Sequence, residues 1–454
     1  MESLLLDRKL GNITPLEFAT TIVESYYSRL HQTAKTNVFP INCHHNASVN
    51  SLAIDQSDYG FLLSGCADSS IKLWDLSQTE VQRKENEIDS NLVSSSYDDF
   101  DYDNPISTFV NVATIPKKTI HEFGISTVQW WPHDTGMFVS SSFDHSVKIW
   151  DTNELRPVHD FDIQSRVYSI DICSSDDSSS LVATASDSPF IRLLDLRAAS
   201  SAHTLSGHKG KTLSVKWHPI NSYLLASGGY DGEVKVWDVR RSNSCLCRLD
   251  MLHTNIQKKN SYSSNLAKES VKAHSGPVNG LVWDESGTEL YTTGNDDKVR
   301  VWDMVSDRSS AINKLVNFGP LTRNKYPQTI PMMLNPKRES ETQYLLFPSE
   351  SSDIFIFRTI DGKLQARLSR KGTKNSGRTC SMVNAGPFTG TYYCGTMDGE
   401  IISWSPNWIK PNLDDIVELE SSEELNLESE VDVLDKKKKQ SDTLASLYSD
   451  PYFK

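Results

Sequence analysis

Several things are scarce in this 454-residue chain. Its seven cysteines are an odd number with no CxxC pair, the closest two being Cys245 and Cys247. That argues against a disulfide framework and a zinc site, and suits reduced core thiols in a nucleocytoplasmic protein. Long apolar runs are missing as well. No stretch approaches the ~18 apolar residues that cross a membrane, so no membrane segment is expected. The start, MESLLLDRKLG, has three leucines between charged residues and no basic leader, so it does not read as a secretory signal. Phosphate-cradling glycine loops and metal-ligand spacings are also wanting, so no cofactor and no metal is expected.

Excess basic charge is absent too. The net charge of −13 is concentrated in two polar, Ser-rich segments: residues 77–104, with eight acids and two bases, and residues 411–454, with twelve acids and five bases. Both are expected to be disordered, and the rest of the chain is formally neutral. A neutral body lacks the charge of a protein that grips nucleic acid by its phosphates. Direct nucleic-acid binding is therefore not expected, a local basic patch aside.

What the chain does have is repetition. "VQWWPHDTGMFVSSSFDHSVKIWD" (Val128 to Asp151) places two apolar stretches around a turn and closes on Trp-Asp. The same ending returns in "LLSGCADSSIKLWD" at Asp75, "LASGGYDGEVKVWD" at Asp238 and "LYTTGNDDKVRVWD" at Asp303. Weaker copies end at Asp195 and Ser405, and "YLLFPSESSDIFIFR" is a degenerate seventh. Asp stands six residues before Trp in Asp68/Trp74, Asp144/Trp150, Asp231/Trp237, Asp296/Trp302 and Asp398/Trp404. His45, His121 and His208 lie 29 residues before their Trp, and His274 lies 28 before. A hydroxyl recurs four residues before the Asp: Ser64, Ser140, Ser227 and Thr292.

These spacings predict a buried chain of hydrogen bonds, from Asp in a turn to His, to Ser or Thr, to the indole N–H, tying strands together. A single His-Ser-Asp set would suggest a hydrolase. Four copies point to structure, and no catalytic residue is expected.

Repeats of about 40–45 residues with Gly-His early and Trp-Asp late resemble WD40 β-propeller blades. The resemblance implies an all-β, seven-bladed propeller over residues 35–410, its third, sixth and seventh blades the weaker. "KTNVFPIN" (35–42) is expected to supply the last blade's outer strand and close the ring. The acidic insert and a polar stretch at 250–271 are expected to project as loops.

Two features are not needed to make a propeller. Thr14-Pro15-Leu16-Glu17 reads as a capping box, followed by Leu16, Ala19, Val23, Tyr26 and Leu30 near helical spacing, with Leu4-Leu5-Leu6 upstream. Residues 1–31 are thus expected to form a helical hairpin that either packs on its own propeller or enters a partner's groove. Separately, Asp195-Leu-Arg197 and Asp238-Val-Arg240 put arginines 43 residues apart on neighbouring blades, facing one side. Each arginine either makes a local salt bridge or serves a partner.

"LASGGYDGEVKVWDVR" resembles the WD-x-Arg box of substrate receptors of cullin-four ubiquitin ligases. "VQWWPHDTGMFVSSSFDHSVKIWDTN", "KVWDVRRSNSCLCRLD" with the later "AHSGPVNGLVW", and "LLLDRKLGNITPL" are similar to the Cockayne syndrome A family, over roughly residues 1–410 and thinly from 310 to 400. The acidic insert and "DKKKKQ" depart from that pattern. The resemblance implies a nuclear, non-enzymatic receptor that binds the ligase's three-propeller adaptor through Arg197, Arg240 and an N-terminal segment, with Leu5, Leu6, Leu16 and Val23 as anchors. It further implies work beside stalled RNA polymerase II with a Cockayne syndrome B-type Swi/Snf ATPase in transcription-coupled nucleotide excision repair. The rival readings are a WD40 scaffold of another nuclear complex without a ligase, a propeller that binds damaged DNA, and a propeller hydrolase.

Overall fold

The computed structural model describes residues 8–14, 18, 21, 27, 30–35, 45, 47–81, 107–132, 134–175, 181–241, 245–254, 272–304, 311–326, 328–337, 342–350, 352–369, 377–386 and 389–406. The chain divides into two units after Pro406, and all of residues 407–454 lie outside the described set. The tail expected to be disordered, the anchors Leu5, Leu6, Leu16 and Val23, and residues 82–106 and 255–271 of the two long insertions also lie outside it.

The described residues form 28 strands in seven four-stranded blades, each antiparallel within itself, and a single parallel bridge, Ala34 to Ser107, joins the last blade to the first in one eight-stranded sheet. The first strand in sequence, β1 (Leu30–Lys35), belongs to the last blade. Blade one holds β2 (Val49–Ile54), β3 (Phe61–Cys66), β4 (Ile71–Val81) and β5 (Ser107–Ile115). Blade two holds β6 (Ile125–Trp130), β7 (Met137–Ser142), β8 (Ser146–Asp151) and β9 (Arg156–Asp162). Blade three holds β10 (Val167–Ile172), β11 (Leu181–Ser186), β12 (Phe190–Asp195) and β13 (Ser200–Ser206). Blade four holds β14 (Thr212–Trp217), β15 (Leu224–Gly229), β16 (Val234–Asp238) and β17 (Cys245–Arg248). Blade five holds β18 (Val278–Trp283), β19 (Glu289–Gly294), β20 (Lys298–Asp303) and β21 (Ile312–Asn313). Blade six holds β22 (Met333–Leu334), β23 (Tyr344–Pro348), β24 (Ile354–Arg358) and β25 (Leu364–Leu368). Blade seven holds β26 (Thr379–Asn384), β27 (Tyr392–Thr396), β28 (Ile401–Pro406) and β1.

Local chemistry explains the blades. The two middle strands are buried on both faces and read as near-continuous apolar runs, such as FLLSGC and KVWD. The outer strands are exposed and polar, such as SSAHTLS. The turn between the second and third strands needs left-handed backbone just after its Asp. Ser69, His145, Gly232, Asp297 and Gly399 all take φ between 57° and 88° there. At Gly232 and Gly399 a side chain would also strike the backbone of the next blade, at His274 and His45, so only glycine fits.

The core lies between blades. The contacting apolar cluster Leu63, Ile71, Ile125, Val128, Phe138 and Trp150 mixes blades one and two. Trp130, Trp217 and Trp283, each ending a first strand, donate the indole N–H to a carbonyl of the preceding blade's first strand, at Ala53, Asp171 and Lys216. The His274 backbone N–H donates to Gly232 at 3.0 Å, and that of His45 to Gly399 at 3.3 Å, which continues the pattern across the join between the last blade and the first.

The strand that closes the ring is Leu30–Lys35, so of the expected 35–42 only Lys35 lies in it; residues 36–44 lie outside the described set. β1 runs antiparallel to β28, with Leu30 opposite Pro406 and Lys35 opposite Ile402. Residues 30 and 31 are therefore strand, not part of a helical hairpin. Likewise β4 continues to Val81, pairing with β5 through Thr79, Glu80 and Val81, so the acidic insert begins as ordered strand. Further upstream, the Phe18 N–H donates to the Thr14 carbonyl, the bond of a helical turn started at the expected cap. Tyr27 is 1 % exposed. Its ring lies 4.6 Å from that of Tyr344, and its hydroxyl lies 3.4 Å from that of Tyr392, which docks this segment on blades six and seven.

Replacing Tyr27 by Ala in the full chain should lower unfolding stability by about 3–5 kcal/mol, the usual cost of emptying a buried aromatic site. Urea unfolding checks this. An unchanged midpoint would detach the N-terminal segment from the folded unit.

Candidate functional site

The strands end on two faces of the ring, and the sequence-predicted residues divide between them. On the face formed by the second-to-third-strand turns lie the histidine networks. In blade two, His121 Nδ1 is 2.8 Å from Asp144 Oδ2, His121 Nε2 is 2.8 Å from Ser140 Oγ, and Trp150 Nε1 donates to that Oγ at 2.7 Å. In blade four, His208 lies 3.2 Å from Asp231 and 2.8 Å from Ser227, which accepts from Trp237 at 2.7 Å. In blade five, His274 lies 2.8 Å from both Asp296 and Thr292, and Trp302 donates to Thr292 at 2.9 Å.

Blade one differs. His45 Nε2 meets Ser64 at 2.7 Å and Trp74 donates to Ser64 at 2.8 Å. His45 Nδ1, however, lies 2.8 Å from Ser70, whose hydroxyl donates onward to Asp68 at 2.5 Å. Cys66 stands beside this set with its thiol pushed up to about 12, chiefly by burial. Both His45 nitrogens meet hydroxyls, while the Cys66 thiol donates to the Ala47 carbonyl at 3.1 Å and accepts from the Asp68 N–H at 3.5 Å. In blade seven Cys394 stands where the hydroxyl would be, and the buried Trp404 indole N–H meets no acceptor among the described residues.

Burial alone would raise the carboxyls of Asp144, Asp231 and Asp296. Their histidine partners, with Ser146, the Lys209 N–H and Arg300 respectively, hold all three well below the usual carboxylate range. Burial also pushes the His274 imidazole down, and Arg300 adds to the effect. These groups are braced ions and buried rings.

On the opposite face, Arg197 and Arg240 both follow the third strand of their blades. The Arg197 N–H donates to Asp195, and its side chain is exposed. Arg240 forks onto Asp238 at 3.0 and 2.8 Å and stacks over Tyr223 at 4.3 Å. The Arg240 bond holds the Asp238 carboxyl below its ordinary value. The arginine thus makes the local salt bridge, yet its side chain remains 57 % exposed. Exposed Ile220 and Tyr223 adjoin it on the turn before β15, giving an apolar patch with a fixed cation.

Sequence reasoning missed three things here. Ile220 and Tyr223 carry no periodic signal. Trp130, Trp217 and Trp283 do, standing 20, 20 and 19 residues before the third-strand Trp. The Ser70 relay depends on side-chain geometry that spacing does not reveal.

Seven four-stranded blades braced by repeated Asp–His–Ser/Thr–Trp chains define a WD40-repeat β-propeller, and the chain is one. The model of the WD domain, G-beta repeat, matches residues 35–75, 114–151, 199–238 and 267–303. Propellers of this class are typically non-catalytic scaffolds. The chain is 29% identical to WD repeat-containing protein ATCSA-1 of Arabidopsis thaliana, over 88% of this chain and 94% of that protein. It is 31% identical to Radiation-sensitive protein 28 of Saccharomyces cerevisiae (strain ATCC 204508 / S288c), over 55% of this chain and 51% of that protein. Similarity to a Ribosome biogenesis protein WDR12 homolog of Oryza sativa subsp. japonica is 30% over 43% of each. The chain thus spans nearly all of the first of these relatives and about half of the second.

The pH dependence of stability follows from the braced groups. Each carboxyl lies below its unfolded value, so its contribution is full above about pH 4 and is lost as pH falls further. The depressed His274 lets the unfolded chain take up a proton first, so loss begins below about pH 6.5. Melting temperature should therefore fall from pH 7 toward pH 3. Asp231→Ala should cost about 1–3 kcal/mol at pH 7, because His208 and the Lys209 N–H lose their acceptor, and should flatten the acid limb. A wild-type melt and pH profile in that variant would mean the network contributes nothing.

Proposed function

We propose that this protein is a non-catalytic substrate receptor. It links a cullin-four ubiquitin ligase to stalled RNA polymerase II complexes in transcription-coupled nucleotide excision repair, in the nucleus. The observation that carries this reading is the likeness to ATCSA-1, which runs through 88% of the chain and beyond the repeats. The yeast relative, named a radiation-sensitive protein, supports a role in the response to DNA damage. The Cockayne syndrome A-type motifs add the adaptor-binding box at Asp238-Val-Arg240.

In this reading the three-propeller adaptor docks on the face carrying Arg197 and Arg240. Ile220 and Tyr223 supply apolar area and the N-terminal segment supplies a second contact. A stacked, exposed guanidinium beside an apolar patch has the chemistry of an interface anchor. Two contacts on one rigid body raise each other's effective concentration. A Cockayne syndrome B-type Swi/Snf ATPase is the expected partner at the polymerase. The second reading, a scaffold of a complex without a ligase, draws on the ribosome-biogenesis relatives, but the rice match covers under half of either protein.

Arg240→Ala should weaken binding of purified adaptor at least about tenfold without lowering the melting temperature, as expected for an interface anchor. Arg197→Ala should do less, since Leu194 stands where Trp would fix its turn. The N-terminal contact is best tested by Leu5→Asp with Leu6→Asp, which should abolish binding. Removing residues 1–31 would also take away Tyr27 and two residues of β1. Titrations that find both variants binding like wild type would leave the generic scaffold reading.

A further inference from the structure

The patch beside Arg240 is held in shape by a histidine that belongs to none of the blade networks. His218 follows Trp217 at the end of β14 and opens the turn that carries Ile220 and Tyr223 to β15. Its Nδ1 accepts from the backbone N–H groups of Ile220 at 3.1 Å and Asn221 at 2.9 Å. Its Nε2 donates to the Gly287 carbonyl of blade five at 3.1 Å. Only the neutral ring with its proton on Nε2 satisfies all three bonds. Asn221 passes the order on: its side-chain oxygen accepts from the Tyr223 N–H at 3.0 Å and its carbonyl from the Leu224 N–H at 3.1 Å. The Tyr223 carbonyl then takes the Val239 N–H at 3.0 Å, and its ring lies 4.3 Å beneath the Arg240 guanidinium.

The corresponding turn of blade one uses a carboxylate instead. Asp55 accepts from the Ser57 N–H at 2.8 Å and the Asp58 N–H at 3.4 Å. A carboxylate ordinarily remains an acceptor down to about pH 4, whereas an imidazole ordinarily loses its acceptor near pH 6.5. Burial pushes the His218 imidazole below that ordinary value, against the Gly287 carbonyl, which favours the charged form. The fit is close: Gly287 has a φ of +66°, and a Cβ there would come within 2.1 Å of the His218 ring. The Trp283 ring lies 4.9 Å away.

The elements packed around the ring carry other titratable groups, and these are engaged with one another. Lys216 pairs with Asp171, Arg240 and Arg241 with Asp238, and Lys337 with Asp284. Glu285 accepts from the Lys337 N–H, and the Cys173 thiol donates to the Ser222 carbonyl. Among the described residues none of them bonds to the imidazole. The proton on His218 is therefore governed by the turn and by Gly287.

Resting on the docking reading above, we propose that His218 positions the docking patch and couples it to pH. A proton taken from solvent onto Nδ1 expels the Ile220 and Asn221 N–H groups, opens the turn, draws Tyr223 from beneath Arg240 and lowers the affinity for the adaptor. The charged ring and the closed turn exclude each other, because Nδ1–H would face two N–H donors. An adaptor that selects the closed turn selects the neutral ring, so binding and protonation oppose each other to the same extent. The patch is intact above about pH 6.5, and below the ring's own value its competent fraction falls about tenfold per pH unit.

The test titrates the full chain with purified adaptor at about pH 7.5 and about pH 5, as wild type, His218→Ala and His218→Asn. The Ala variant should bind about tenfold more weakly at the higher pH. The Asn variant should recover most of that loss, since its side-chain oxygen can accept the two N–H groups as Asp55 does. On going to the lower pH, wild type should lose at least about threefold more affinity than the Asn variant, a comparison in which every other titrating group cancels. An equal loss in the two overturns the proposal, as does a folded Ala variant that binds like wild type. Should the Ala variant not fold, the Asn comparison and the free ring decide. In the free chain, NMR of labelled histidine, with the His218 signal assigned by its loss in the Asn variant, should show the Nε2–H form at the higher pH. That signal should titrate below about pH 6.5, with the Tyr223 ring signals moving at the same midpoint. An Nδ1–H form, or Tyr223 signals that ignore that midpoint, overturns the proposal whether or not adaptor binds. Wild type that binds no adaptor at the higher pH overturns the docking reading instead.

Discussion

Pairing of β1 with β28 is the contact on which the ring depends. Six blades are each built from one contiguous stretch of chain and supply their own four strands. The seventh has only three of its own, and without β1 the edge of β28 would stand open between blades. An open strand edge is a template for another chain. Tyr27, wedged against Tyr344 and Tyr392, holds the approach to that strand. The same short region therefore finishes the fold and carries the segment that precedes it to the last blade.

Once the ring is shut, the blades hold one another through a repeated device. Each Asp turn needs left-handed backbone, and its tight geometry lets the carbonyl of Gly232 or Gly399 reach the next blade's histidine. That histidine then spans its own blade from Asp to hydroxyl to indole. Blades three, six and seven lack parts of the chain and compensate with apolar packing, as in Phe318, Phe347, Phe355 and Phe357. The cost is visible in blade seven, where the buried Trp404 indole meets no acceptor among the described residues. Rigidity of this kind leaves the loops on the two faces of the ring free to diverge.

The blade count and the networks of blades two, four and five were legible, and that of blade one from His45 to Trp74, because turn geometry fixes the distances between Asp, His, hydroxyl and Trp. Those distances survive in sequence as integers. The closing strand was not legible, since LHQTAK has little strand character of its own and is held in extended form by its partner's register; the more β-like VFPI nearby drew the expectation downstream. Val81 as a strand end was hidden in the same way, because Glu80 and Thr79 look like insert until β5 pairs with them. Arg240 was found by its spacing after Trp237. Tyr223 was not, because what distinguishes it is the Arg240 guanidinium stacked over it at 4.3 Å, a contact made only in the fold.

The placement of β1 also has a consequence for synthesis. Tyr27 and Tyr392 are 365 positions apart, and the strand beside Tyr27 is made almost first while its partner is made almost last. At a translation rate of about 5–20 residues per second, β1 waits roughly 20–70 s for β28 to emerge. During that interval the growing chain carries a strand with no partner and a set of blades with no circle to complete. A ribosome that stalls, or a message that stops, anywhere before β28 yields a protein that cannot fasten its own clasp, however well its early blades have formed. Whether such a molecule closes is decided by its final strand.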